Sequence, residues 1–133
     1  MHELTISTTK KQQMIDITLQ VKEAVMKSGV KDGVCIVYAL HTTAGLFINE
    51  NADPNICEDV LNSLSNMVPN HNNYKHDAID NNAAAHIKTA IMGNNISLII
   101  HNKAPVLGRW QAILFFELDG PRERKVLIKA LGK

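Results

Sequence analysis

The chain has 133 residues, 45% apolar and 20% charged, with 14 Lys plus Arg against 13 Asp plus Glu and a formal net charge of +1. This length fits one domain, residues 1–133, burying roughly two-thirds of its unfolded surface. The near-neutral balance argues against a protein built to neutralise phosphate backbones, so no nucleic acid is expected as a partner.

No apolar run approaches the ~20 residues of a bilayer span, so no membrane partner is expected. His2 and Glu3 follow Met1 without a signal-peptide core. Cys35 and Cys57 fall inside apolar-patterned segments and read as buried thiols of a reducing, cytoplasmic environment. The cations near the C-terminus (Arg122, Arg124, Lys125, Lys129, Lys133) are interrupted by acids and read as a solvated face.

Residues 2–9 alternate and are rich in threonine, which predicts a strand. From Ile17 the period changes: Val21, Ala24, Val25 and Ser28 join it on one helical face, and Gly29 stands where a left-handed cap would close the helix. Asp32-Gly33 makes a turn. Val34 to Leu40 is an almost continuous apolar run, read as a strand covered on both faces. Leu46 to Ile48 is strand again, with Thr42-Thr43-Ala44-Gly45 as a bend between the two. Asp53 and Pro54 mark a helix start, and Cys57, Val60, Leu61, Leu64, Met67 and Val68 recur at helical spacing until Pro69.

Residues 69–82 are polar and without period, the kind of long loop that often carries function. A short helix follows, with Ala83, Ile87, Ala90 and Ile91 on its apolar face, His86 at the edge of that stripe and Gly93 closing it. Ile96 to Ile100 reads as a buried strand. Leu107 to Leu118 reads as a longer one, with Arg109, Gln111, Ile113, Phe115 and Glu117 on one face and Trp110, Ala112, Leu114, Phe116 and Leu118 on the other. Asp119-Gly120-Pro121 turns into a last strand, about Arg124 to Leu131. The order β-α-β-β-α-α-β-β-β predicts an α+β fold with a largely antiparallel sheet system.

Chemistry concentrates between Tyr74 and Lys88, where His76 and His86 are flanked by Asp77, Asp80, Asn81 and Asn82. Ten residues is no compact ligand spacing, so by spacing alone the pair reads more readily as a loop histidine and a core-edge histidine. A metal would need a third ligand, and His41 at the end of a buried strand is the best donor. Imidazoles suit zinc, copper, nickel or iron better than magnesium. Glu50 follows an apolar strand directly and offers a general base, while Thr42, Asn51 and Asp53 are accounted for by turn chemistry. The Arg109/Gln111/Glu117 face is polar but studded with Ile113 and Phe115, which fits a pocket and a subunit interface equally. Arg109 and Arg122 are both candidates to hold a phosphate or carboxylate. His2, His71 and His101 are given no role.

Taken together, five ordered motifs resemble one family. They are His41-Thr-Thr-Ala-Gly-Leu-Phe-Ile-Asn-Glu-Asn-Ala-Asp-Pro54, Tyr74-Lys-His-Asp77, Asn82-Ala-Ala-Ala-His-Ile-Lys88, Leu107-Gly-Arg-Trp-Gln111 and Phe116-Glu-Leu-Asp-Gly-Pro-Arg122. Over nearly its whole length the chain resembles the YjbQ-like family, often labelled secondary thiamine-phosphate synthase. Arg109 stands where a small hydroxylated residue is associated with that family.

The resemblance implies a two-sheet sandwich of mostly antiparallel strands with about three helices, assembled as a homotrimer with sheets packed around the threefold axis. It implies a divalent-metal site, zinc foremost, on His41, His76 and His86. The implied activity joins hydroxymethylpyrimidine diphosphate to a thiazole phosphate with loss of pyrophosphate. Asp77, Glu50 or Glu117 would serve as the proton-handling residue, and Lys88, Gln111, Arg122, Thr42 and Asn49 would meet the phosphorylated small-molecule substrate. The alternative is a non-enzymatic trimeric protein in which the same histidines bind a metal or small ligand, or brace the interface.

Overall fold

The computed structural model describes residues 1–133 and contains eight strands and three α-helices. In chain order these are β1 (His2–Ser7), β2 (Gln13–Asp16), α1 (Thr18–Ser28), β3 (Gly33–Ala39), β4 (Ala44–Asn49) and α2 (Pro54–Met67). A 3₁₀ turn (Lys75–Ala78) precedes α3 (Ala83–Met92), β5 (Asn95–His101), β6 (Ala104–Pro105), β7 (Ala112–Glu117) and β8 (Glu123–Gly132). Every strand pairing is antiparallel. The strands form a five-stranded sheet, β1-β8-β3-β5-β6, and a three-stranded sheet, β2-β7-β4. The α+β, antiparallel fold is as the element order predicts, and the two sheets are as the family resemblance implies. No helix is long and apolar enough to cross a membrane.

Local chemistry explains the helix ends. Gly29 takes a left-handed φ of 77° and its N–H donates to Met26 O, closing α1. Asp53 accepts from the Asn55 N–H at 2.9 Å, and Pro54 opens α2 where a missing N–H costs nothing.

The main core lies between the sheets. Cys35, Val37, Val126 and Ile128 of the larger sheet meet Leu46, Ile113 and Phe115 of the smaller, and Ile17, Val21 and Val25 of the α1 segment close the side. On the other face of the smaller sheet, Phe116 and Leu118 pack with Ala85 of α3 and with Val60, Leu61 and Leu64 of α2.

Three sequence expectations are corrected by this arrangement. First, β3 is covered on one face only. Cys35, Val37 and Ala39 point inward, whereas Val34, Ile36 and Tyr38 stay exposed on the outer face of the larger sheet. Second, Leu107 to Gln111 is a tight turn rather than strand, with the Gly108 N–H donating to Gln111 Oε1 and the Gln111 N–H to Gly108 O. All six residues of β7 are buried, because it is the central strand of its sheet with a layer on either side. Arg109 and Gln111 therefore share no face with Glu117, and the choice between pocket and interface for such a face dissolves. Third, β2 and β6 are short strands that the periodicity did not reveal.

The site's position follows from the topology. The chain crosses between the two sheets from β1 to β2, from β3 to β4 and from β7 to β8. These three crossovers run side by side at one end of the sandwich. Thr8 N–H donates to Arg122 O, Gly120 N–H to Lys11 O, and Leu118 N–H to Thr43 O.

Candidate functional site

Where the crossovers meet, they form a cleft of about 710 Å³ with the loop preceding α3 as its far wall. Its chemistry comes from His41, Thr42 and Thr43 of one crossover, Arg122 and Arg124 after another, and Asp80, Asn82 and His86 at the head of α3. The volume is within the range of small-molecule sites.

Beneath the cleft lie two buried carboxylates. Glu117, 0% exposed, accepts from Thr8 Oγ1 (2.7 Å), the Asp119 N–H (3.1 Å), and both Nε and Nη2 of Arg124. Burial alone would raise its pKa. The hydrogen bonds from Arg124, Thr8 and Asp119 outweigh that and hold the carboxyl below the ordinary glutamate value. Asp119 accepts from Lys11 Nζ, from Asn82 Nδ2 (2.8 Å) and from Arg122 Nη2 (2.8 Å). Its pKa is also lowered, with burial opposed by Lys11, Asn82 and Arg122.

Each carboxylate thus fixes one arginine at the cleft, by Nε and Nη2 for Arg124 and by Nη2 for Arg122, whose Nε donates to Asp119 O. Nη1 of both arginines remains for a ligand. Glu117 is fully committed to these donors, so its place is beneath the site as a positioning residue for Arg124 and Thr43 rather than as a proton carrier.

His41 is fixed as a donor. Its Nε2 accepts the Lys125 N–H at 2.8 Å, so in the neutral ring Nδ1 carries the hydrogen. Burial, followed by the nearby Arg124 guanidinium, pulls its pKa below the ordinary histidine value. His86 meets His76 edge-on, with ring centroids 4.7 Å apart and planes at 83°. His76 Nε2 lies 3.7 Å from Asp80 Oδ2, an ion-pair distance when the ring is protonated but too long for a hydrogen bond.

Two buried side-chain polar atoms in the chain lack a partner: His76 Nε2 and Asn82 Oδ1. Asn82 lines the cleft, and His76 stands behind it in the 3₁₀ turn, against His86. Buried polar groups are ordinarily satisfied in folded proteins, so Asn82 Oδ1 is an acceptor at the cleft with no protein donor.

The structure therefore brings His41, His86, Thr42 and Arg122 together at the cleft, with His76 behind His86, and adds residues to which the sequence reading gave no site role. Arg124, expected on a solvated face, and Asp119, expected only in a turn, are both buried here, and Lys11 had no expected role. A usable signal existed for Arg124, which heads the inward-facing row Arg124, Val126, Ile128 and so cannot belong to a solvated face.

Other expected site residues lie elsewhere. Asp77 accepts the Ala83 N–H at 3.0 Å and anchors the start of α3 outside the cleft. Lys88, 1% exposed, points beneath α2, where Nζ donates to Ser65 Oγ at 3.2 Å. Burial pulls its pKa below the ordinary lysine value, and no carboxylate faces it, so it does not meet a phosphate in the cleft. Asn49, Glu50 and Gln111 line a separate groove with Ile48 and Trp110. It lies at the far end of β4, about 17 Å from the cleft at about 3.4 Å per residue.

As a metal centre, the three histidines do not fit together as they stand. A ring nitrogen must offer a lone pair to bind a metal, and that of His41 Nε2 is engaged by the Lys125 N–H. No group of three or more His, Cys, Asp or Glu side chains is arranged to hold an ion. His76, His86 and Asp80 are the donors that remain near one another.

The comparisons with known proteins agree with the fold. The family model described as "UPF0047 protein YjbQ-like" matches residues 2–133. A UPF0047 protein of Methanocaldococcus jannaschii is 43% identical over 127 residues, covering 96% of this chain and 91% of that one. The UPF0047 protein YugU of Bacillus subtilis is 42% identical over 130 residues, covering 97% of each. Among solved structures, an uncharacterised YjbQ/UPF0047 family protein from Clostridium acetobutylicum superposes with a TM-score of 0.95 at 46% identity, covering 98% of this chain and 100% of its own. A protein of unknown function from Sulfolobus solfataricus gives 0.96 at 34% identity, covering 99% and 96%. On its sequence, its two-sheet fold and these matches, the chain belongs to the YjbQ/UPF0047 family.

Proposed function

We propose that the cleft binds the phosphate or diphosphate of a small molecule and that the chain is an enzyme acting on that molecule. One observation carries this reading. Buried Glu117 and Asp119 each hold an arginine at the cleft with Nη1 unused, beside the Nδ1–H of a neutral His41. Donors fixed in advance cost no reorganisation when charge develops on a ligand.

The reaction that suits such a seat is displacement of a diphosphate. In the thiamine-phosphate type, the thiazole nitrogen donates its pair to the pyrimidine methylene carbon, the carbon–oxygen bond breaks, and pyrophosphate departs with the electrons. Arg122, Arg124 and the His41 N–H would stabilise the growing charge on that leaving group. Asn82 would orient the substrate, and His86 would supply or accept a proton at its edge.

Incubation with hydroxymethylpyrimidine diphosphate and thiazole phosphate tests this directly. Thiamine phosphate and pyrophosphate are expected in equal amounts, with Arg122→Ala losing at least about tenfold in kcat/KM. Failure of the purified protein to bind inorganic pyrophosphate would overturn the anion seat itself. Binding without product would retain the seat and discard this reaction.

A second observation favours assembly. Val34, Ile36, Tyr38, Ile99 and Leu131 form an exposed apolar outer face on the larger sheet, and Tyr38 also lines the cleft. Such a face suits burial against further copies of the chain, which supports the homotrimer implied by the family resemblance. Light scattering at micromolar concentration tests it, and a monomer mass would refute it.

A further inference from the structure

The groove at the far end of β4 is chemically unlike the cleft. It measures about 470 Å³ and is lined by Ile48, Asn49, Glu50, Trp110 and Gln111. Its hydrogen-bonding character is fixed by the backbone. Asn49 Oδ1 accepts the Glu50 N–H at 2.8 Å, and Gln111 Oε1 accepts the Gly108 N–H at 2.7 Å. With both amide oxygens occupied, the two side chains present their NH₂ groups as donors. The carboxylate of half-buried Glu50 takes part in none of these bonds and is the acceptor. Trp110 is 59% exposed and lines the groove, and the Arg109 guanidinium sits 5.0 Å from its ring centroid.

These features select a ligand class. A cation would meet Arg109 at the ring, and an anion would meet Glu50. A flat neutral ring satisfies both limits, stacking on the indole, donating an amino hydrogen to Glu50 and accepting from Asn49 or Gln111. We propose that this groove is a second binding site, separate from the cleft, for a neutral nitrogen heterocycle carrying an exocyclic amino group. Such ligands include the bases of nucleosides. Base-on-aromatic stacking together with one carboxylate–amino contact is the recognition it offers.

Trp110 is the only tryptophan in the chain, so its emission reports on this groove alone. The experiment titrates the intact protein with adenosine and cytidine while exciting at the red edge of the indole band. Purine riboside, which keeps the ring but lacks the amino group, and ribose serve as comparisons. A saturable emission change is expected for adenosine or cytidine, weaker by about tenfold for purine riboside and absent for ribose.

Glu50→Gln is expected to weaken binding by about tenfold, and Gln111→Ala several-fold. His86→Ala should leave it unchanged, which separates this site from the cleft. The proposal is overturned by the absence of saturable change at millimolar nucleoside, or by equal affinity in the wild type, Glu50→Gln and Gln111→Ala. It is equally overturned if the emission depends on protein concentration and not on nucleoside, since a second copy would then cover Trp110.

Discussion

Replacing Glu117 by Gln tests the foundation of the cleft. The carboxylate is 0% exposed and accepts four hydrogen bonds, two of them from Arg124, itself 4% exposed. Glutamine keeps the shape and removes the charge, leaving a buried guanidinium without its counter-ion and turning an NH₂ group toward existing donors. Breaking a buried pair from one side costs about 3–5 kcal/mol. With an unfolding entropy of about 2.1 cal/mol/K per residue, a chain of this length has roughly 0.28 kcal/mol/K, so a loss of ~4 kcal/mol lowers Tm by about 14 °C.

The assay is thermal and urea unfolding of Glu117→Gln, Arg124→Met and the double variant. The loss in the double variant is expected to fall at least about 2 kcal/mol short of the sum of the two single losses, because removing both charges leaves no orphan. The sign with pH also follows. A carboxyl whose folded pKa is lowered stabilises the fold above the unfolded value near 4.5, and that contribution disappears as pH falls below it. Glu117→Gln should therefore flatten the acid limb of the stability curve. A loss below ~1 kcal/mol, or strictly additive single losses, would refute the coupling.

Further predictions concern the surroundings. Asp119→Asn should weaken inorganic pyrophosphate binding by about tenfold in calorimetry, since it loosens Arg122 and Asn82 together while touching no ligand itself. Lys88→Met should raise stability by about 1–3 kcal/mol, because a buried ammonium with one hydroxyl partner is replaced by an apolar chain of similar length. A loss instead would mean that Lys88 has a task beneath α2. Tyr38→Lys should reduce the assembly mass seen by light scattering, and an unchanged mass would remove the outer sheet face from the interface. In zinc titrations of untagged protein, His76→Ala and His86→Ala should weaken any binding while His41→Ala leaves it unaltered. Equal losses for all three would show that His41 gives up the Lys125 N–H to a metal.

Local signals marked most elements correctly. Gly29 and the Asp53-Pro54 pair delimit α1 and α2 because caps act over a few residues, whatever the rest of the fold does. The Leu107 strand was misjudged because Gln111 satisfies Gly108 locally and holds five residues in a turn, a hydrogen bond that alternation of apolar residues does not encode. Val34 to Tyr38 misled in another way. When both faces of a strand are apolar, periodicity is silent about which one the fold covers.

Sequence by itself determined the family, the α+β class and the gathering of chemistry around His41, His76, His86 and Arg122, since these depend on short motifs and on local period. Tertiary structure decided how the remaining candidates divide. Crossovers far apart in the chain bring Thr8, Glu117, Asp119 and Arg124 under one cleft, through contacts such as Thr8 to Glu117 that span 109 residues. The length of β4 carries Asn49, Glu50 and Gln111 to the opposite end. Helix geometry decides Lys88: two residues beyond His86 is about 200° around α3, so one side chain faces the cleft and the other lies beneath α2.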